Sequence, residues 1–204
     1  MSLYLEEVKT HRDLKAFVEF PFKLYRGNPY WVPPLVSDEL NTFKPGRNPA
    51  FSFCESRSWL AYRSGSIVGR ITAILNHRHI EKWNQSYMRF GWVDFVDDEE
   101  VSSALFSAVE SWAREKGMEA VHGPLGYTNL DHAGMLVEGF EELGTMATTY
   151  SFPYYPRHLE HLYYVKHIDW VEYELGMTPE LLKGADSINQ RMIDMMNAAA
   201  NGDL

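Results

Sequence analysis

The chain has 204 residues, 45% of them hydrophobic and 14% aromatic, and a formal net charge of −9. That length suits one domain with a core of its own, and a field of that sign repels nucleic acid and anionic lipid, so neither is an expected partner. Cys54 is the single cysteine, which rules out an internal disulfide; no apolar run approaches the ~20 residues of a membrane span, MSLYLEEVKT lacks signal-peptide character, and a cytoplasmic location is expected.

Leu3 to Val8 reads as a short strand and Thr10 as the cap of a helix over His11–Phe20, with Leu14, Phe17 and Val18 at helical spacing. Pro21 is expected to kink or end that helix, and Gly27 to stop any further turn. Asn28 to Pro34 cannot be regular structure, because each proline forces its predecessor toward an extended conformation; its Tyr30 and Trp31 form either a binding lip or a packed clamp. Ser37 to Phe43 reads as a short helix capped by Ser37. Trp59–Arg63 and Ile67–Asn76 read as a hairpin around Ser64-Gly65-Ser66. On its second strand Ile67, Gly69, Ile71, Ala73 and Leu75 share a face, with Arg70 on the other. Tyr87 to Val96 reads as an aromatic-rich third strand.

The strongest helix follows. Val101, Leu105, Ala108, Val109 and Trp112 form an apolar stripe, Asp97 and Asp98 are cap candidates, and Lys116-Gly117 ends it. Ala120 to Leu125 then reads as a strand reached by a parallel crossover. Asn129 to Phe140 has one apolar side and reads as a helix, Tyr154-Tyr155-Pro156 opens another, and Ile168 to Leu175 reads as a last strand. Composition changes at Thr178, where Ile188, Met192, Met195 and Ala199 give a heptad-like stripe. The expected organisation is a domain over residues 1–176 and a helical tail over 177–204, the 178–200 helix serving a homodimer or a docking partner.

This order of elements resembles the GNAT N-acetyltransferase superfamily. The segments PFKLYRGNPYWVPPLVSDE (21–39), WLAYRSGSIVGRITAILN (59–76), GPLGYTNLDHAGMLVEGF (123–140) and YYPRHLEHLYYVKHIDWVEYE (154–174) are similar to a bacterial GNAT-like group with VPPL and LVEGF segments. The likeness runs over about residues 3–175. It implies an α+β fold, with a mixed, mostly antiparallel sheet flanked by helices. It also implies an acyltransferase using acetyl-CoA or another acyl-CoA, with the pantetheine arm in a gap where the fourth strand splays from the fifth, and a second part to the protein.

The residues depart from the family at the phosphate loop. Phe95 to Val101 has no glycine and no basic residue, and Asp97, Asp98, Glu99 and Glu100 place four carboxylates in a row. A helix N-terminus attracts anions, but each like-charge contact costs about 1 kcal/mol in water, so Asp97–Glu100 disfavours acetyl-CoA bound in the usual way. The family's general-acid tyrosine also has no counterpart, since Leu159 and Glu160 stand ahead of Tyr163-Tyr164.

Glycines at the end of the 120–125 strand mark the expected cleft, because ligands bind at strand C-termini in open sheets. Gly126, Tyr127 and Asn129 are the candidate cofactor-binding residues there, with Glu138 as candidate base and Tyr154 as its catalytic companion. His77 with His79, and His158 with His161, are each too few for a metal site, and Cys54 reads as an inert thiol. Two functions follow: an acyl-transfer enzyme for a small-molecule acceptor, or a non-catalytic GNAT-like binding or scaffolding module.

Overall fold

A computed structural model describes residues 2–145, 148–172 and 190. The chain divides into one compact unit over 1–166 and a second over 167–204. In the second unit, 167–172 carry no helix or strand and Gln190 is helical. The strand expected over Ile168–Leu175 is therefore not formed in its described part, and most of the expected tail helix lies outside the described residues.

In the first unit β1 (Leu3–Glu7) leads into α1 (His11–Leu24), whose start is a reciprocal capping box between Thr10 and Asp13. Pro21 does not end α1; the helix runs on to Leu24 with the proline inside it. The proline costs the helix only the hydrogen bond to the carbonyl of Phe17, four residues back, and that carbonyl accepts from Arg70 Nη1 at 3.0 Å instead. The 28–34 loop is a packed clamp: Trp31 stacks on Tyr25 at 5.2 Å and meets Phe22 edge-on at 5.2 Å. Short α2 (Val36–Thr42) begins one residue before the expected cap, with Leu35 at its N-cap and no side-chain cap from Ser37.

The hairpin strands β2 (Cys54–Arg63) and β3 (Ser66–Asn76) turn through Ser64-Gly65, and β2 starts five residues earlier than its expected Trp59. Next comes α3 (His77–Trp83), a helix the sequence reading missed; Asn76 caps it by accepting from the N–H of His79. β4 (Tyr87–Phe95), α4 (Glu99–Glu115) and β5 (Ala120–His122) then form the parallel crossover. Among the described residues the sheet order is β1-β2-β3-β4-β5, with the first three pairings antiparallel. From His122 a long irregular stretch leads to α5 (Tyr154–His161). The helix expected over Asn129–Phe140 is absent. Gly134 and Gly139 sit at φ +86° and +78°, and the Asp131 carboxylate accepts from the N–H of Thr128 at 2.8 Å, a local bond that competes with helical pairing.

Two cores flank the sheet. Val101, Leu105, Phe106, Val109 and Trp112 of α4 bury against Ile71, Ala73, Leu75, Phe90 and Phe95 on one face. Phe17 and Val18 of α1 bury against Leu60 on the other. Each fully buried side chain of this size contributes about 1.5–3 kcal/mol.

Gly91 of β4 is the tightest approach in the sheet, since a Cβ there would run into the Leu125 carbonyl, a main-chain group that cannot swing aside. Gly91→Ala is expected to destabilise the chain by about 1–3 kcal/mol. Gly46→Ala, in a turn with nothing near its Cβ position, should stay within about 0.5 kcal/mol of the parent. Urea denaturation midpoints of the two variants check both values.

Candidate functional site

β4 and β5 part company early. They pair only from Tyr87 with Ala120 to Arg89 with His122, and the N–H of Leu125 reaching the Phe90 carbonyl at 2.7 Å is a final main-chain link. Past that point β4 continues to Phe95 without a strand partner on its β5 side. The parting coincides with a bulge: Arg70 and Thr72 of β3 pair with Asp94 and Gly91, so Trp92 and Val93 both stand against Ile71. A bulge bends its strand and raises the local twist. Trp92 takes φ +45°, an unusual conformation for a bulky residue that neighbours must hold in place. Its indole N–H donates to Glu39 of α2 at 2.8 Å, and its ring packs on Phe43 and Tyr127.

A buried charged network lies beside this unpaired end of β4. Arg70 Nε and Nη2 each donate to Asp94 Oδ2 at 2.7 Å, and the two side chains are 8% and 10% exposed. The other Asp94 oxygen accepts from Tyr25 at 2.8 Å and Tyr155 at 3.4 Å, and the two phenol oxygens are 3.1 Å apart. Burial first, and then the Asp94 charge, hold the Tyr25 and Tyr155 phenols far above their ordinary pKa. Both remain proton donors at neutral pH, and Asp94 is committed to three partners rather than available as a base.

Two phenols occupy the open edge of β4. Val96 donates to Val68 of β3 at 3.0 Å, so by strand alternation the N–H and C=O of Phe95 point away from β3, into the opening. The N–H of Phe95 donates to the Tyr155 oxygen at 3.0 Å, and the Tyr154 hydroxyl donates to its carbonyl at 2.5 Å. Burial, followed by the charges of Asp97 and Asp94, also raises the Tyr154 pKa.

The four carboxylates at the start of α4, Asp97 and Asp98 ahead of it and Glu99 and Glu100 in its first turn, each face a basic side chain. Asp98 caps the helix, accepting from the N–H groups of Glu100 and Val101, and pairs with Arg63, as does Glu100. Asp97 pairs with Arg157 at 2.9 Å and His158 at 2.8 Å, and Glu99 with His161 at 2.9 Å. His158, buried on α5, presents its other nitrogen to Ser102 of α4 at 2.8 Å. These bonds latch α5 onto the first turn of α4. The helix N-terminus that would cradle a diphosphate is satisfied by Asp98, so the residues present there do not fit that group.

The sequence-chosen residues fall in different surroundings. Tyr154 lies in the opening. Tyr127 is fully buried in a separate cluster with Ala50, Cys54 and Ile74, its hydroxyl 2.9 Å from Ser56; burial raises its pKa and pushes the Cys54 thiol up to about 11. Gly126 is buried with Asp131 filling the space where its Cβ would go, so the glycine admits a turn of the chain rather than a ligand. Asn129 and Glu138 are exposed on the irregular 123–153 stretch, and Asn129 caps no helix. Arg70, Asp94, Tyr25 and Tyr155 were missed. Their one sequence signal was a charged residue inside each of two apolar strands, Arg70 between Gly69 and Ile71 and Asp94 between Val93 and Phe95.

Arg70→Met should cost about 3–5 kcal/mol in denaturant unfolding, because it leaves Asp94 buried without a counter-charge. The Asp97 latch gives a pH dependence. Its bond to His158, and then Arg157, lower the Asp97 pKa below the ordinary 3.8. That stabilisation is fully present above 3.8 and is lost as pH falls through the lower folded value. Asp97→Asn should therefore flatten the fall of thermal stability with pH below 3.8, measured by circular dichroism.

No family model matches the chain. Two curated relatives do: Protein YghO of Escherichia coli, 35% identical over 185 residues, and the bacterial ceramide synthase of Caulobacter vibrioides, 31% identical over 178 residues. The alignments cover 88% and 85% of this chain but 47% and 46% of those proteins, so the chain spans about half the length of the curated relatives it matches. Among solved structures, a predicted acetyltransferase with acetyl-CoA from Clostridium acetobutylicum superposes with TM-score 0.51 at 8% identity, over 85% of this chain and 96% of that one. AAC(6')-Iy in complex with a CoA-containing bisubstrate analog gives TM-score 0.50 at 12% identity, over 87% and 100%. The chain thus shares its fold with these acetyltransferases.

Proposed function

We propose that the chain is the acyl-transfer part of a longer protein, moving an acyl group from a CoA thioester to the amine of a long-chain amphiphile. The observation that carries the reading is the opening beside β4 beyond Phe90, where an extended donor arm could lie along an unpaired strand edge. The acceptor class is suggested by the name of the Caulobacter relative, a ceramide synthase; a ceramide is the amide of a fatty acid with a long-chain amino alcohol. Phe95, Phe152, Tyr154 and Tyr155 stack on one another beside the opening, surroundings that suit an apolar substrate better than a charged one.

In the reaction the neutral amine attacks the thioester carbonyl. A C–N bond forms, the C–S bond breaks, the amine loses a proton and the departing thiolate gains one. Tyr154 is the residue this reading gives to the thiolate, because its phenol is protonated at neutral pH and stands in the opening. Glu138 and Asn129, exposed on the 123–153 stretch, have no part in it.

The second reading is a non-catalytic GNAT-like module that binds or scaffolds. It is favoured by the Asp98 cap, which leaves no free N–H pair for a diphosphate at the start of α4.

Calorimetric titration of the chain with acetyl-CoA and with palmitoyl-CoA separates the two. Micromolar binding, followed by mass-spectrometric detection of the amide when sphinganine is added, is the expected outcome; no heat with either thioester moves the chain to the second reading. Tyr154→Phe should lower turnover about 100-fold, the scale of one proton-transfer group.

A further inference from the structure

We propose that Tyr154 gates the donor site: its hydroxyl holds the Phe95 carbonyl that an amide-bearing donor arm needs, so the donor binds only by displacing it. The inference rests on the donor reading above and adds a closed state to it.

The register places both main-chain groups of Phe95 on the open side of β4. An extended ligand joining a strand edge takes up such groups with its own amides. Here the two groups are taken by side chains of consecutive residues, and the two differ in how firmly they are held. Tyr155 is fully buried, stacks on Phe95 at 4.3 Å and bonds into the Tyr25–Asp94 network, so it forms a fixed wall. Tyr154 is only partly buried; its hydroxyl donates to the Phe95 carbonyl, with the Tyr155 phenol as a second polar neighbour. Its ring packs on the half-buried Phe152 at 5.5 Å and on the buried His158 at 5.5 Å.

The exchange is nearly balanced in hydrogen bonds. The carbonyl trades a phenol donor for a ligand N–H, and the released phenol finds water or the ligand. The closed state therefore lowers donor affinity only modestly while keeping the strand edge satisfied when no donor is present. An unpaired edge is a template for adventitious pairing, so a gating phenol also protects β4.

Calorimetry of palmitoyl-CoA with the parent chain and with Tyr154→Phe tests the gate. The variant should bind about fivefold tighter, since its carbonyl is already free, even as its turnover falls. Equal or weaker binding by the variant overturns the gate and leaves the donor reading standing, and absence of binding by both chains overturns both. Hydrogen exchange on the parent chain gives a second readout that needs no variant. Saturating palmitoyl-CoA should speed exchange across residues 153–158, where a ligand that left Tyr154 in place would slow it; slower exchange there overturns the gate.

Discussion

Arg70 sits where four parts of the chain meet. Its guanidinium binds Asp94 of the neighbouring strand, takes the α1 carbonyl of Phe17 and lies over the Phe17 ring at 5.0 Å. Through Asp94 it is joined to Tyr25 at the end of α1 and to Tyr155 of α5. A buried ion pair stabilises weakly in net and fails badly when one partner is lost, so its value is in geometry. Here it fixes the end of α1, the β3–β4 register beside the bulge and the placement of α5 with one set of bonds. The proline inside α1 belongs to the same arrangement: by lacking an N–H, Pro21 frees the carbonyl that Arg70 uses. A residue that reads as a helix breaker is thus an enabling part of the network.

The same register explains why the strand edge beside the bulge is usable. The bulge at Trp92–Val93 lies where β4 and β5 part, and the main-chain groups of Phe95, buried away from water, need partners there. Tyr154 and Tyr155 supply hydroxyls from α5, and α5 in turn is latched to the start of α4 through His158, Asp97 and Ser102. The acidic start of α4, which in isolation repels a diphosphate, is consequently half of an interhelix clamp. Its carboxylates are paired with Arg63, Arg157, His158 and His161, and the two arginines offset part of their charge.

Relatives about twice as long and a fold shared with acyl-CoA-bound acetyltransferases put the chain in a consistent setting. The diphosphate and the acyl arm of a donor need not be held by the same device. A strand edge without a β5 partner persists here although the helix N-terminus has been given over to self-capping.

Sequence by itself determined the elements whose signals are local. The α4 stripe, the Thr10 start of α1, the hairpin and the strand-helix-strand crossover all follow from periodicity and caps, which depend on neighbours within a few residues. The resemblance carried by the order of elements likewise led to the right fold. Where local and distant interactions compete, the reading failed. Residues 129–140 have an apolar side, yet glycine φ values and the Asp131 turn override it; His77 and His79 begin a helix because Asn76 caps them. The site depended on contacts 24 to 130 positions apart, Arg70 with Asp94 and Tyr25 with Tyr155. Tyr127 and Tyr154 look equivalent in sequence, but one fills a core and the other the opening. Only tertiary structure decides that, because burial and hydrogen-bond partners are properties of what the fold brings alongside a residue, not of the residues next to it in the chain.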